Sequence, residues 1–290
     1  FAPQNQPQFR KKGCFRYAKA MVINMKKIGF IGTGNMGSAL ARAVSKKAGG
    51  ERLLLANRTP QKSEALAIEL GALPADNRQV VLEADFIFLG VKPQGLPPLL
   101  SELSPLLRSR KEPALLISMA AGTSIFRIKE LLSFSCPIIR IMPNTPAAVG
   151  EGMLLYSAGE GVSEQDLEEF RSLLSDAGRL LALPEEQLDA GSALSGCGPA
   201  FVCLFAEALA DGGVLSGLKR QDALLLAAQT LLGTAKLLLV SGKHPGELKD
   251  QVCSPGGTTI EGVRQLEEAG FRGSVMNAVF ASFEKNKRLG

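Results

Sequence analysis

Short runs of apolar residues, separated by segments of helical length, fill the first part of this 290-residue chain. Each run is apolar at nearly every position, which is typical of strands covered on both faces of a parallel sheet. The segments between the first runs are long enough for crossover helices. The pattern predicts a doubly wound α/β domain with a mostly parallel sheet over residues 25–183. The predicted strands are KIGFIG, RLLLAN, DFIFLGV, ALLISMA, IIRIMP, MLLYSA and RLLALP.

The strand pattern stops at Pro184, and residues 184–290 become rich in Ala and Leu at helical spacing. We predict an all-helical second domain there. The segment Ala223–Val240 is apolar on most faces, and a monomer could not bury it fully. Because polar residues interrupt this segment, we expect a partner helix from a second subunit rather than a membrane span. Predicted breaks between helices lie at Gly212, Gly217, Gly242 and Pro255–Gly257.

The basic charge of the chain is concentrated in its first residues. Residues 1–24 carry five Lys or Arg and no acidic side chain, and the remaining basic residues equal the 28 acidic ones in number. A balanced folded body argues against a nucleic-acid-binding protein. We expect residues 1–24 not to fold, as either an organelle transit peptide or a cloning or start-site remnant ahead of Met25. Five cysteines without a CxxC pair favour a reduced, cytoplasmic setting.

A glycine-rich turn follows the first predicted strand and opens the first predicted helix. Its sequence is Gly32-Thr33-Gly34-Asn35-Met36-Gly37, the spacing that binds the pyrophosphate of a dinucleotide in Rossmann-type folds. The first glycine permits the tight turn, the second lets the backbone approach the phosphates, and the third lets the helix pack closely on the strand. The positive helix end then favours the phosphate charge. The alternative is a turn whose glycines only allow close packing.

The residue that selects the cofactor is expected about twenty positions further on, at the end of the second strand. That place holds Asn57-Arg58-Thr59 and no carboxylate. The Arg58 guanidinium suits a 2′-phosphate, and Asn57 and Thr59 offer hydrogen bonds. We predict that NADPH is the preferred cofactor and NADH the weaker one. Alternatively, Thr59 caps the next helix and Arg58 is solvated.

Two more loops follow predicted strands at the edge of the sheet where ligands bind in open α/β folds. Val91-Lys92-Pro93 follows one strand, and Asn144-Thr145 follows another. We predict that both loops surround the nicotinamide and its ribose. Their prolines are also ordinary turn formers, so a purely structural role stays open.

The helical part contains a second loop with the chemistry of an anion site, Cys253-Ser254-Pro255-Gly256-Gly257-Thr258-Thr259. Glycines free the backbone to present N–H donors, the helix that follows adds its dipole, and threonine hydroxyls complete the shell. The alternative is an ordinary helix cap preceded by a turn.

The stretch around this second loop, KDQVCSPGGTTIEGVRQLE, resembles the signature of pyrroline-5-carboxylate reductases. Other segments similar to that family lie in the same order over residues 26–285: IGFIGTGNMGSA, ANRTP, GVKP, IRIMPNTPAAVGEG and ALSGCGPAFV. Cys197 departs from the pattern, because relatives often carry Ser within SGSGPA. The resemblance implies reduction of 1-pyrroline-5-carboxylate to L-proline by hydride transfer from NADPH.

The resemblance also implies roles for the residues of the second loop. It places the substrate carboxylate on the backbone amides of Gly257, Thr258 and Thr259. Ser254 and Gly256 would line the same pocket. The hydroxyl of Thr259 would face the ring nitrogen, which makes Thr259 the implied catalytic residue.

Asn77 matches an asparagine that, in the family, helps to hold the adenosine end of the cofactor. The family further implies a homodimer with intertwined helical domains, usually assembled into a larger ring such as a decamer. Its site would be shared by two chains. We expect a small-molecule substrate and no metal, nucleic-acid or membrane partner.

The chain is poor in the side chains that usually protonate a reduced carbonyl. Its single His is His244, in a turn, whereas Tyr17 lies in the tail and Tyr156 in a strand. Carbonyl reduction needs a proton donor, because the developing alkoxide must be neutralised. A protonated cyclic imine needs none, since hydride addition produces a neutral amine. The sequence therefore favours an imine substrate.

Two other functions stay open from the sequence. The first is another two-domain NADP-dependent dehydrogenase of a hydroxyacid or an imine. A hydroxyacid enzyme generally needs a Lys or His on the first long helix of its second domain, and residues 198–217 contain neither. The second is a non-catalytic NADPH-binding redox sensor, which would not need the second anion-binding loop.

Overall fold

The computed structural model describes residues 26–288, so the predictions made for residues 1–24 lie outside the described residues. In this part of the chain, eight strands form one sheet in the order β3-β2-β1-β4-β5-β6-β7-β8. The strands are β1 (Ile28–Ile31), β2 (Leu53–Ala56), β3 (Leu73–Pro74), β4 (Phe86–Leu89), β5 (Leu115–Ser118), β6 (Ile138–Met142), β7 (Gly152–Ala158) and β8 (Gly178–Ala182).

Twelve α-helices are described between residues 26 and 288. Six belong to the sheet-containing part: α1 (Asn35–Ala48), α2 (Pro60–Leu70), α3 (Asn77–Glu83), α4 (Leu96–Arg108), α5 (Ile125–Leu132) and α6 (Glu164–Leu173). The other six follow the last strand: α7 (Leu188–Ser195), α8 (Gly198–Leu215), α9 (Arg220–Ser241), α10 (Pro245–Gln251), α11 (Thr258–Glu268) and α12 (Phe271–Lys287).

Strands β1 to β6 are parallel, β7 is antiparallel to β6, and β8 is parallel to β7. β1 pairs with both β2 and β4, so the strand order reverses at β1. This reversal opens a crevice at the carboxyl ends of β1 and β4, where ligands bind in such sheets. Apolar clusters cover both faces of the sheet: Phe30 belongs to one and Ile31 to the other. The predicted doubly wound, mostly parallel fold is confirmed.

Two local predictions need correction. The strand β3 was not predicted, because its two residues form no apolar run: Leu73 and Pro74 are both exposed at the edge of the sheet, where proline is tolerated. Gly212 does not break a helix, since α8 continues through it to Leu215. A glycine inside a helix costs only about 1 kcal/mol, and α8 packs along α9, so one glycine is not enough to end the helix.

The helical part leaves much apolar surface uncovered in the single chain. Two stretches, Glu185–Leu215 and Arg220–Ser241, are long and apolar enough to cross a membrane by length and composition. In the apolar 18-residue segment of each, only 11% of the residues are buried. In α9 the buried residues are Ala223 and Ala227, whereas Val240 is 77% exposed. An apolar surface of this extent needs another surface to cover it.

Candidate functional site

The turn between β1 and α1 packs backbone against backbone with the loop that follows β4. Gly32 has a φ of +100°, in the left-handed region, and a Cβ built on it would lie 2.6 Å from the carbonyl oxygen of Gly90. A Cβ built on Gly90 would lie 2.3 Å from the carbonyl oxygen of Gly32. Neither position accepts a side chain. Gly90 opens the loop predicted at the end of this strand, but its backbone contact with Gly32 was not predicted.

Gly34 and Gly37 have different functions in the same turn. Gly34 is the exposed N-cap of α1, and nothing lies within 4 Å of a Cβ built on it. A Cβ built on Gly37 would lie 2.1 Å from the carbonyl oxygen of Gly32. Gly34 therefore leaves space for a ligand at the helix end, and Gly37 lets the helix approach the turn. Asn35 is exposed and Met36 half-buried at the same end of the helix.

Asn57 holds the loop after β2 against the glycine-rich turn. Its Oδ1 accepts a hydrogen bond of 3.2 Å from the amide of Thr33, and its Nδ2 donates one of 3.0 Å to the carbonyl of Thr59. Thr59 occupies the N-cap of α2, but its side chain makes no capping hydrogen bond. Arg58 is exposed between Asn57 and Thr59. This loop thus offers a guanidinium and a hydroxyl beside the turn that would hold the phosphates.

A cleft of about 1310 Å³ runs along the carboxyl ends of β1, β2 and β4. Pockets for drug-sized ligands measure about 300–1,000 Å³, so this larger cleft has room for an extended ligand such as a dinucleotide. The predicted site residues that line it are Gly32, Gly34, Asn57, Arg58, Thr59, Asn77, Val91 and Lys92. The predicted cofactor residues outside its lining are Asn35, Met36, Gly37, Pro93, Asn144 and Thr145.

Lys62, Gln94 and Glu102 also line the cleft and were not predicted. Lys62 is the third residue of α2, so its place at the cleft follows from the helix that Pro60 begins. Asn77 is the first residue of α3, after the N-cap Asp76, whose carboxylate accepts a 2.7 Å hydrogen bond from the amide of Gln79. The capped helix fixes Asn77 at the rim of the cleft.

Replacing Arg58 by alanine is expected to reduce the preference for NADPH over NADH by about 10- to 100-fold, since a hydrogen bond to a charged group contributes about 1.5–3 kcal/mol. The ratio of kcat/KM for the two cofactors measures this preference. Arg78→Ala is the matched control, because Arg78 is exposed on α3 but does not line the cleft. If Arg58→Ala kept the full preference, the 2′-phosphate would be bound elsewhere.

The two remaining predicted loops differ in their surroundings. Lys92 is exposed at the start of a short 3₁₀ turn, Pro93–Gly95, and Val91 beside it is half-buried. Asn144 is buried: its Nδ2 donates a 2.9 Å hydrogen bond to the carbonyl of Ser195, and its Oδ1 accepts one of 2.8 Å from the amide of Met153. The Asn144 amide thus connects three segments of the chain. Thr145, next to it, is exposed.

The second predicted loop leads into α11. Gly256 has a φ of +67°, which the left-handed turn requires, and the amide of Gly257 donates a 3.0 Å hydrogen bond to the carbonyl of Ser254. A Cβ built on Gly257 would lie 2.3 Å from Oγ of Ser254. Gly257 is the N-cap of α11, and no side chain caps the helix.

This loop presents uncapped amides on the surface of the chain. Thr258 and Thr259 form the first positions of α11, and both are exposed. The first N–H groups of a helix have no partner within it, so they can receive a carboxylate. None of the residues of this loop lines the dinucleotide cleft of the same chain.

Of the side chains considered as proton donors, His244 and Tyr156 lie outside the cleft lining, whereas Lys62 and Lys92 line it. His244 is exposed at the N-cap of α10, where its Nδ1 accepts a 3.1 Å hydrogen bond from the amide of Gly246. Tyr156 is buried, and its hydroxyl accepts a 2.8 Å hydrogen bond from Nε of Arg171. Burial raises the pKa of the Cys136 thiol to about 11, which keeps it protonated. Among residues 26–288, no cluster of three or more His, Cys, Asp or Glu side chains has the arrangement of a metal site.

Two protein-family models match the chain. The model described as pyrroline-5-carboxylate reductase dimerisation matches residues 185–289. The model described as NADP oxidoreductase coenzyme F420-dependent matches residues 27–122. The two matches fall on the helical part and on the part that contains the cleft.

Individual relatives span nearly the whole chain. A pyrroline-5-carboxylate reductase of Methanosarcina acetivorans is 43% identical over 269 residues, which are 91% of this chain and 98% of that protein. The solved structure of a pyrroline-5-carboxylate reductase from Coxiella burnetii has a TM-score of 0.85 and 32% identity, covering 92% of this chain and 99% of that one. The Plasmodium falciparum pyrroline carboxylate reductase, solved with NADP bound, has a TM-score of 0.81 and 34% identity, covering 91% and 98%.

Proposed function

Because this chain belongs to the pyrroline-5-carboxylate reductase family, we propose that it reduces 1-pyrroline-5-carboxylate to L-proline, the last step of proline biosynthesis. The observation that supports the proposal is the presence of two separate places where backbone amides could receive an anion. One is the cleft at the glycine-rich turn, and the other is the uncapped N-terminus of α11. A dinucleotide-binding protein without a second substrate would need only the first.

NADPH fits the cleft and is the preferred reductant. The open space at Gly34 and the uncapped end of α1 suit the pyrophosphate, and Arg58 and Thr59 suit the 2′-phosphate. Asn77 would hold the adenosine end. NADH lacks the 2′-phosphate and would bind more weakly. The Val91–Pro93 loop and Thr145 would surround the nicotinamide and its ribose, whereas the side chain of Asn144, also predicted there, is buried and bonded to Ser195 and Met153.

The substrate carboxylate would be held by the amides of Thr258 and Thr259, and by that of Gly257 where it is shared with its hydrogen bond to the carbonyl of Ser254, with Ser254 and Gly256 completing the pocket. When bound, NADPH supplies a hydride. The cyclic imine enters protonated, so as the new C–H bond forms, the π electrons of C=N move to the positive nitrogen and neutralise it. Thr259 accepts a hydrogen bond from the iminium N–H and donates one to the neutral amine. The chain therefore has to position two reactants, and it needs no strong acid.

The chain would act as a homodimer through its helical part, assembled into a larger ring such as a decamer. Two observations support this arrangement: the apolar surface of α8 and α9 in the single chain, and the match to a dimerisation model over residues 185–289. A second copy, rather than a membrane, would cover that surface. The free cysteines among the described residues suit a reduced, cytoplasmic setting. Residues 25–183 and 184–290 would be the cofactor and dimerisation domains.

The direct experiment is to follow oxidation of NADPH by the purified protein with 1-pyrroline-5-carboxylate as the only acceptor. We expect saturable turnover and formation of L-proline in equal amount. A panel of 2-oxoacids serves as the control, and turnover of these alone would identify a hydroxyacid dehydrogenase. NADPH binding without turnover of any acceptor would identify a sensor.

A further inference from the structure

Arg140 is an arginine in the middle of the sheet. It lies in β6 between Ser118 of β5 and Ser157 of β7, and it is 3% exposed. The sequence around it, Ile138–Met142, is otherwise apolar, and the whole strand is buried. A buried guanidinium is costly unless it is paired, so its partners must account for its presence.

Two carboxylates from the start of the helical part pair with Arg140. Its Nη2 lies 2.6 Å from Oδ1 of Asp189, in α7, and its Nη1 lies 3.6 Å from Oε1 of Glu185. The same Glu185 oxygen accepts a 2.7 Å hydrogen bond from the amide of Ile125, the first residue of α5. Arg140 therefore connects the sheet, α5 and the first turn of α7.

Asn144 makes the matching connection at the other end of α7. Its Nδ2 donates a 2.9 Å hydrogen bond to the carbonyl of Ser195, the last residue of that helix. Asp189 and Ser195 lie about 9 Å apart along the helix axis, at 1.5 Å per residue. Two polar contacts from one strand and the loop after it thus fix both the position and the direction of α7 on the sheet.

The orientation of α7 is passed on to the substrate loop. Nδ2 of Asn286, in α12, lies 3.5 Å from the carbonyl of Asp189, and α12 packs along α7. The first residue of α12, Phe271, packs its ring 5.6 Å from that of Phe205 in α8. α12 also packs against α11, whose N-terminus carries Thr258 and Thr259. A tilt of α7 would therefore move the proposed carboxylate site relative to the sheet edge.

We propose that Arg140 and Asn144 are positioning residues, which fix the helical part on the sheet and so set the distance between the substrate loop and the nicotinamide. The inference rests on the proposed function. Arg140 cannot touch a ligand, because it is buried and does not line the cleft. A buried ion pair adds little to stability over an apolar replacement, and in some proteins such buried polar groups specify one geometry. A small misplacement of reacting groups can lower a rate by about 100-fold.

The test is the double variant Arg140→Met with Asp189→Asn, which removes the closer pair, while Glu185, 29% exposed, keeps the hydrogen bond from the amide of Ile125. We expect kcat with 1-pyrroline-5-carboxylate to fall by about 10- to 100-fold, as misplaced reactants require. The thermal midpoint should stay within a few degrees and the NADPH Kd within about twofold, since neither depends on the orientation of α7. Arg140→Lys, which keeps one charge, should give an intermediate kcat.

The matched control is Arg110→Met with Asp85→Asn. Arg110, just after the end of α4, is also a mostly buried arginine, and it lies 3.9 Å from Asp85, the residue before β4, away from α7. We expect its kcat to equal that of the wild type.

Three results would overturn the positioning role: an unchanged kcat in the double variant, an equal loss of NADPH affinity, or wild-type kinetics in Arg140→Lys. If the double variant does not fold, Arg140→Lys alone tests the proposal, and a lower kcat with an unchanged NADPH Kd supports it. A wild-type protein that does not turn over 1-pyrroline-5-carboxylate refutes the proposed function instead.

Discussion

Replacing Thr259 by alanine is expected to lower kcat/KM for 1-pyrroline-5-carboxylate by about 10- to 100-fold, because one hydrogen bond to a charged group contributes about 1.5–3 kcal/mol. The hydroxyl would contact the ring nitrogen, whose charge disappears in the reaction. The fold should not change, since Thr259 is exposed and no side chain caps α11. The NADPH Kd should stay within about twofold, as the loop does not line the cleft.

Thr258→Ala is the control for this prediction. Thr258 also lies at the start of α11 and is exposed, but only its backbone amide is assigned to the carboxylate, and alanine keeps that amide. Steady-state kinetics at saturating NADPH should therefore separate the two variants. If they lost the same activity, or if Thr259→Ala weakened NADPH binding as much as turnover, Thr259 would have a different role.

Gly34→Ala is expected to weaken NADPH binding by about tenfold or more while leaving the fold intact. The backbone of Gly34, at φ −72°, suits alanine, and nothing lies within 4 Å of the added Cβ. The methyl group would instead occupy the space that the pyrophosphate needs for close approach to the backbone. Titration of cofactor fluorescence measures the Kd, and thermal unfolding measures the stability.

Gly37→Ala provides the contrast. Its Cβ would meet the carbonyl oxygen of Gly32 at 2.1 Å, so the turn itself must move. Overpacking of this kind costs about 1–3 kcal/mol, which lowers the thermal midpoint by several degrees. Gly34→Ala should therefore bind NADPH more weakly while its thermal midpoint stays that of the wild type. Gly37→Ala should lose thermal stability as well. An unchanged Kd in Gly34→Ala would place the pyrophosphate away from this turn.

Features encoded by neighbouring residues were predictable from the sequence. The glycine-rich turn lies within six residues, and the reasons for its three glycines match the geometry of Gly32, Gly34 and Gly37. The requirement for a glycine at position 90 was not predicted, because it arises from contact with Gly32, far away in the chain. β3 was missed because a two-residue edge strand carries no pattern.

The junction between sheet and helices was beyond sequence reasoning. Arg140 lies in a strand predicted from its apolar neighbours, and its partner Asp189 is 49 residues further on. Asn144 was predicted as a cofactor contact from its place after a strand, and its two hydrogen bonds to Ser195 and Met153 depend on the final packing. The exposed apolar surface of Ala223–Val240 was predictable, because the apolar residues outnumber what one face can bury.

The most direct test is the distance between Oγ1 of Thr259 and the ring nitrogen of proline in a crystal structure with NADP⁺ and L-proline bound. If the two anion sites act on one reaction, this distance should be that of a hydrogen bond, about 2.7–3.2 Å. The proline carboxylate should lie on the amides of Gly257 to Thr259, and a nicotinamide ring should lie on the other side of the substrate. The ring can belong to the same chain or to its partner. Proline bound elsewhere, with Ser254 to Thr259 away from every nicotinamide in the assembly, would contradict the account.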